Sequence, residues 1–90
     1  VNATEWVPRL RRGVRLDFDA VRRSAVALFP EGVLLLNPTA EAVLRACDGT
    51  RTVARIVDRL GEHYAGVRVE DVVAVLRGLA ERDIVERETT

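Results

Sequence analysis

Few residues in this chain have the makings of a reactive site. The one histidine, His63, stands beside Tyr64 near the end of a segment with helical periodicity. Acid–base chemistry needs partners that converge on the titrating group, and no carboxylate pair stands out from the solvated charge pattern. The one cysteine, Cys47, falls on the apolar face of another periodic segment. A reactive thiolate needs an electropositive, accessible setting, whereas a buried cysteine behaves as a small hydrophobe. Arg45 and Arg51 are near in sequence, but the face on which Cys47 lies argues for a core role. One cysteine and one histidine make neither a disulfide framework nor a zinc set. Glu70 and Asp71 lie at the start of a third periodic segment, where carboxylates complement a helix dipole. The glycines are scattered and form no phosphate-cradling loop. No catalysis, no metal and no cofactor are expected.

Composition narrows the field further. Ninety residues support one domain, and a chain this short buries only roughly 60–65% of its unfolded surface. Fourteen basic residues, every one an arginine, balance fourteen acidic ones. A neutral domain has little long-range attraction for nucleic acid, where affinity comes mainly from neutralised phosphates. The longest apolar run, Val33 to Leu36, is far too short to span a bilayer. There is no signal-peptide pattern at the N-terminus, so a cytoplasmic location without membrane contact is expected. Six arginines, at positions 9, 11, 12, 15, 22 and 23, precede Ser24, against three acids. That local excess is either a solvated strand face or a docking surface for an anionic partner.

The elements that would position any site follow from periodicity. Residues 1–13 read as an arm with one aromatic anchor, Trp6, and the folded domain as residues 14–87. Val14, Leu16 and Phe18 alternate with charged residues, as in a half-buried strand. Ala25 to Phe29 forms a second strand. Phe29-Pro30-Glu31-Gly32 fits a type I turn, with proline second and glycine fourth. Val33 to Leu36 forms a third strand, apolar on both faces. The period then becomes 3.6. Asn37 is a good N-cap and Pro38 fits the first helical position. The first helix runs to Asp48-Gly49, where glycine can take the left-handed C-terminal conformation. Thr52 caps a second helix with Val53, Ile56, Val57, Leu60 and Tyr64 on one face. A third spans about Glu70 to Arg82, and Ile84-Val85 returns as a short extended segment. Strands followed by helices indicate an α+β domain. The predicted architecture is a three-stranded antiparallel sheet followed by three helices, winged helix-turn-helix-like. Val33, Leu34, Leu35 and Leu36 lie at a sheet edge without charge, where proteins usually place charge or proline. Either the rest of the chain covers that edge, or it awaits a peptide strand.

The run from Phe29 to Tyr64 resembles the PqqD family, named for pyrroloquinoline quinone (PQQ) biosynthesis protein D. The similarity lies in Pro30-Glu31, Leu36-Asn37, Ala40, Ala42-Val43-Leu44, Cys47-Asp48-Gly49, Thr52-Val53, Ile56-Val57, Leu60 and Tyr64. Weaker likeness extends back to Pro8-Arg9-Leu10 and on to the third helix. The resemblance implies a peptide chaperone, a recognition element for a ribosomally made, post-translationally modified peptide (RiPP). It implies binding of a PqqA-like precursor by β-strand addition and its presentation to a radical S-adenosylmethionine enzyme like PqqE. It also implies a peptide groove between the third strand and the third helix. The expected binding residues are Val33, Leu34, Leu35 and Leu36 with Val75, Gly78 and Leu79. A mid-helix glycine costs about 1 kcal/mol relative to alanine, so Gly78 marks either close approach of another backbone or tight packing on the sheet.

Other readings use the same elements. The domain could serve a different peptide-maturation pathway. It could be a winged helix-turn-helix DNA binder, but its third helix opens with Glu70-Asp71 and carries valines where a reader of base edges would present arginine, asparagine or glutamine. It could also be a dimerisation module, with a second copy on the open edge. A monomer or weak homodimer is expected.

Overall fold

The computed structural model describes residues 3–88. Three strands form an antiparallel meander: β2 (Arg15–Asp19), β3 (Ser24–Phe29) and β4 (Gly32–Leu36), in the order β2-β3-β4. The Pro30-Glu31 turn sets the register of β3 with β4, pairing Phe29 with Gly32, Ala27 with Leu34 and Ala25 with Leu36. The inner face carries Ala25, Ala27 and Leu36, all buried, with Leu16, Phe29 and Leu34 partly buried beside them. The small side chains at 25 and 27 leave room for α1 (Pro38–Arg45), which packs on β3 and β4.

Asn37 ends β4 and starts α1. Its Oδ1 accepts the Ala40 N–H at 2.7 Å, with Pro38 at the first helical position. The helix closes at Arg45, sooner than Asp48-Gly49. The Ala46 and Cys47 N–H groups bond back three residues, to Val43 and Leu44, tightening the last turn as helix ends often do. Gly49 serves the loop instead. Its φ of +81° lets its N–H reach the Pro8 carbonyl at 3.2 Å. A Cβ there would lie 3.2 Å from the Glu88 carboxylate and 3.4 Å from the Arg9 Cβ.

The segment read as an arm is stitched into the body. β1 (Pro8–Leu10) pairs antiparallel with β5 (Val85–Arg87), with Arg9 opposite Glu86. Upstream, the Thr4 and Trp6 carbonyls accept the Ala54 and Val53 N–H groups at 3.0 Å. Thr52 Oγ1 accepts the Arg55 N–H at 3.2 Å. Three of the four donors that a helix N-terminus leaves open are thus satisfied in α2 (Val53–His63). The Trp6 indole donates to the Ala3 carbonyl, and the Arg87 guanidinium sits 5.5 Å from the ring centre.

The last helix, α3 (Val69–Glu81), has no side-chain cap at Arg68 but carries Glu70 and Asp71 in its first turn. It ends in a Schellman arrangement. Asp83 takes φ +59° and donates to the Ala80 carbonyl at 3.0 Å, and the Ile84 N–H reaches the Leu79 carbonyl at 2.9 Å. Ile84 is then fully buried and feeds β5. Val72, Leu76 and Leu79 of α3 join Val43, Leu44, Val53, Ile56 and Leu60 in one core.

Candidate functional site

Both edges of the β2-β3-β4 sheet are available in principle, and they differ chemically. Antiparallel partners alternate between hydrogen-bonded and non-bonded pairs. A two-residue turn makes its closing pair, here Phe29 and Gly32, a bonded one. Gly32, Leu34 and Leu36 therefore spend their backbone groups on β3. Val33 and Leu35 turn theirs outward, to the free edge. No charged side chain stands between Val33 and Leu36. Val33 and Leu35 are 62% and 51% exposed, with their side chains on the face away from the helices.

The β2 edge is closed by its own chemistry. By the same alternation its outward residues are Leu16 and Phe18. The Phe18 N–H already donates to the Asp17 carboxylate at 2.8 Å. Arg15, Asp17 and Asp19 alternate along the strand, the kind of charge that blunts an edge against pairing. Of these two edges, β4 is the one that offers an uncharged run with outward N–H and C=O groups.

The structure distributes the expected helix residues unevenly. Asp71, Val75, Gly78 and Arg82 fall within about 60° of one another around α3, at about 100° per residue. Asp71 lines the same cavity as Pro38 and Thr39 at the start of α1. The N-terminal end of this flank therefore borders the start of α1. Val75 and Gly78 are partly exposed on the flank. A methyl group on Gly78 would touch nothing within 4 Å, so tight packing on the sheet is not why glycine stands there. Leu79 is 4% exposed and belongs to the core. It supports the flank from beneath and presents no side chain to a ligand. Leu36, 5% exposed, is likewise a core residue, and Leu34 is half-buried on the same inner face.

One feature was not foreseen from the sequence. A cavity of about 280 Å³ opens where the N-terminal end of α1, the C-terminal end of α2 and the start of α3 meet, lined by Pro38, Thr39, Tyr64 and Asp71 among others. Its walls come from three elements, so no local motif announces it. The exposed Tyr64, just past the end of a helix whose periodic face is otherwise buried or half-buried, is the signal that points there.

The residues weighed for reactivity stay apart. Cys47 is 3% exposed and donates to the Val43 carbonyl at 3.2 Å. Burial, with the neighbouring Asp48 charge adding to it, pushes its thiol up to about 12. His63 is exposed in the last turn of α2. Among the described residues no three histidine, cysteine, aspartate or glutamate side chains gather to hold a metal ion, and no helix is long and apolar enough to cross a membrane. Of the six early arginines, Arg9 clasps Glu86 and Glu88, Arg22 pairs with Asp19 at 2.8 Å, and Arg11 stands 4.0 Å from Glu31. Such pairs are partly exposed and contribute little each.

These features define a small α+β module with one uncharged strand edge and a buried cysteine. Comparison with known proteins gives that class a family. The model of the family described as coenzyme PQQ synthesis protein D (PqqD) matches residues 24–85, and the chain belongs to that family. The bifunctional coenzyme PQQ synthesis protein C/D of Methylorubrum extorquens is 44% identical over 84 residues, covering 90% of this chain; the chain spans only 23% of that longer protein. A PqqA binding protein of Rhodopseudomonas palustris is 44% identical over 88 residues, covering 92% of this chain and 86% of the relative. The solution NMR structure of the PqqD truncation of Methylobacterium extorquens PqqCD, described as a functional, stand-alone RiPP recognition element, superposes with a TM-score of 0.76 at 40% identity. That match covers 97% of this chain and all of the other.

Proposed function

We propose that this chain is a peptide chaperone of PQQ biosynthesis, which binds a PqqA-like precursor by adding it as a strand to the free edge of β4. The observation that carries this reading is the contrast between the two sheet edges. Val33 and Leu35 turn unspent backbone groups outward from an uncharged strand, while on β2 the Phe18 N–H is already taken by Asp17. Strand addition draws affinity from main-chain bonds and specificity from pockets that receive alternate side chains. The flank of α3 bearing Val75 and Gly78 forms the other wall of the groove, and the bare Gly78 lets a peptide backbone approach it. The names of the relatives support PqqA as the ligand. The chain works without catalysis of its own, in the cytoplasm, as a monomer or weak homodimer. It hands the bound precursor to a radical S-adenosylmethionine enzyme of the PqqE type.

An NMR titration of the labelled chain with a synthetic PqqA-type peptide tests this. The largest amide shifts are expected at residues 33–36 and 75–79. If they fall instead on residues 50–64, the peptide does not bind as an added strand.

A further inference from the structure

We propose that the cavity between the ends of the three helices is a socket for one large apolar side chain of the precursor peptide, next to a basic residue that meets Asp71. The inference rests on the strand-addition reading above and extends the site beyond β4. At Leu36 the chain turns into α1 because Asn37 caps that helix. A peptide strand added to the edge has no such cap. It continues past Leu36 over Pro38 and Thr39, which are the nearest lining residues of the cavity.

Side chains of an extended strand alternate between faces. Those sharing the face of Leu34 and Leu36 point to the helical layer, where the cavity opens. Its space of about 280 Å³ is walled by Ala42 and Leu60, with Tyr64, 57% exposed, at the rim. An aliphatic or aromatic side chain entering it gives up much of its contact with water, so this position carries much of the affinity as a buried anchor does.

The charge preference comes from Asp71. Its carboxylate has no ion pair or side-chain hydrogen bond among the described residues, whereas its neighbours Arg68 and Glu70 hold each other at 2.8 Å. Asp71 also lines the cavity. A lysine or arginine next to the apolar anchor completes that carboxylate, and an acidic residue there is repelled.

The test titrates a synthetic PqqA-type peptide into the wild-type chain and into Thr39→Phe, Ala65→Phe and Asp71→Asn, with Leu35→Pro as control. Thr39 and Ala65 are exposed residues on the cavity wall, so filling it from either side leaves the core intact. Each phenylalanine variant is expected to weaken binding about tenfold or more. In an alanine scan of the peptide, one large apolar position should lose its effect in these two variants, a coupling that a double-mutant cycle reads directly. Asp71→Asn is expected to weaken binding several-fold at low salt, with the difference closing at high salt, as a screened charge pair requires. On the wild-type chain, the Ala42 and Ala65 methyl signals should shift on saturation. If Leu35→Pro loses affinity while both phenylalanine variants bind as wild type and the two methyls stay in place, the socket is wrong and strand addition stands. If Leu35→Pro binds as wild type, strand addition fails and the socket fails with it.

Discussion

Proline at two neighbouring positions of β4 should produce opposite failures. Leu35 turns its N–H to the free edge, and the residue is 51% exposed. Leu35→Pro removes no bond to β3, and proline is tolerated on an edge strand whose N–H faces solvent. The fold should lose about 1 kcal/mol or less. Binding should suffer more, because the bound peptide loses a ladder donor and faces a ring instead. One such bond, with its partner carbonyl left poorly satisfied, is worth about 1–3 kcal/mol, roughly 5- to 150-fold in Kd. Leu34→Pro removes the donor to the Ala27 carbonyl and trims a half-buried inner-face side chain. That should cost about 3 kcal/mol or more, out of about 5–13 kcal/mol for a domain of this length. At about 4–8 °C per kcal/mol for a small domain, Leu34→Pro should melt at least about 12 °C lower. Thermal melts by circular dichroism and peptide titration by calorimetry read the two effects separately, with Leu35→Ala as the control that keeps the donor. If Leu35→Pro is folded and binds as tightly as Leu35→Ala, the outward assignment of that N–H, or strand addition itself, is refuted.

Gly78→Ala should raise stability by up to about 1 kcal/mol, since the methyl meets nothing, yet weaken peptide binding; a gain in both would show that no backbone approaches there. Asp17→Val frees the Phe18 N–H and removes a charge from β2, so the variant should self-associate through a second open edge, which sedimentation velocity across a concentration series detects. Cys47 should resist thiol reagents at pH 8 while folded and react on unfolding. Because its folded value of about 12 lies above the ordinary 9.0, the unfolded chain holds fewer protons between those limits. Its contribution to stability is complete below about pH 9 and is lost as pH rises towards 12, so Cys47→Ser or Cys47→Ala should flatten the alkaline fall in denaturation midpoint.

The parts of this fold that were legible in the sequence are those set by local chemistry. Asn37-Pro38 announces the start of α1, Thr52 that of α2, and Pro30-Glu31-Gly32 the turn that registers β3 with β4. What escaped depends on distant partners. Pro8–Leu10 is too short to show alternation, and becomes a strand only because the Schellman turn at Asp83 sends Val85–Arg87 back beside it. Gly49 looks like a helix terminator, but its left-handed φ serves the bond to Pro8, a residue 41 positions away. In the site, the sequence marked β4 as an open edge but left the outward position undecided between Leu34 and Leu35; the register decides it for Leu35. Leu79 was grouped with the groove because helical spacing alone cannot separate a helix's core face from its flank.

Under the proposed strand addition, the length of β4 constrains how the site would work. Two outward residues, each with one N–H and one C=O, allow at most four ladder bonds. At about 0.5–1.5 kcal/mol each, these contribute about 2–6 kcal/mol. Bringing two molecules together costs an estimated 4–15 kcal/mol, so the ladder by itself holds nothing tightly. The same shortness protects the protein, because an uncharged edge long enough to bind by backbone alone would also bind other copies of itself. Discrimination must then come from side-chain contacts off the edge. The surfaces that can supply them are the α3 flank, where Gly78 leaves the helix bare, and the cavity beyond Leu36, where Asp71 adds a sign of charge. In the proposed complex the edge would fix the peptide's direction and register, and these two surfaces would decide which peptide stays.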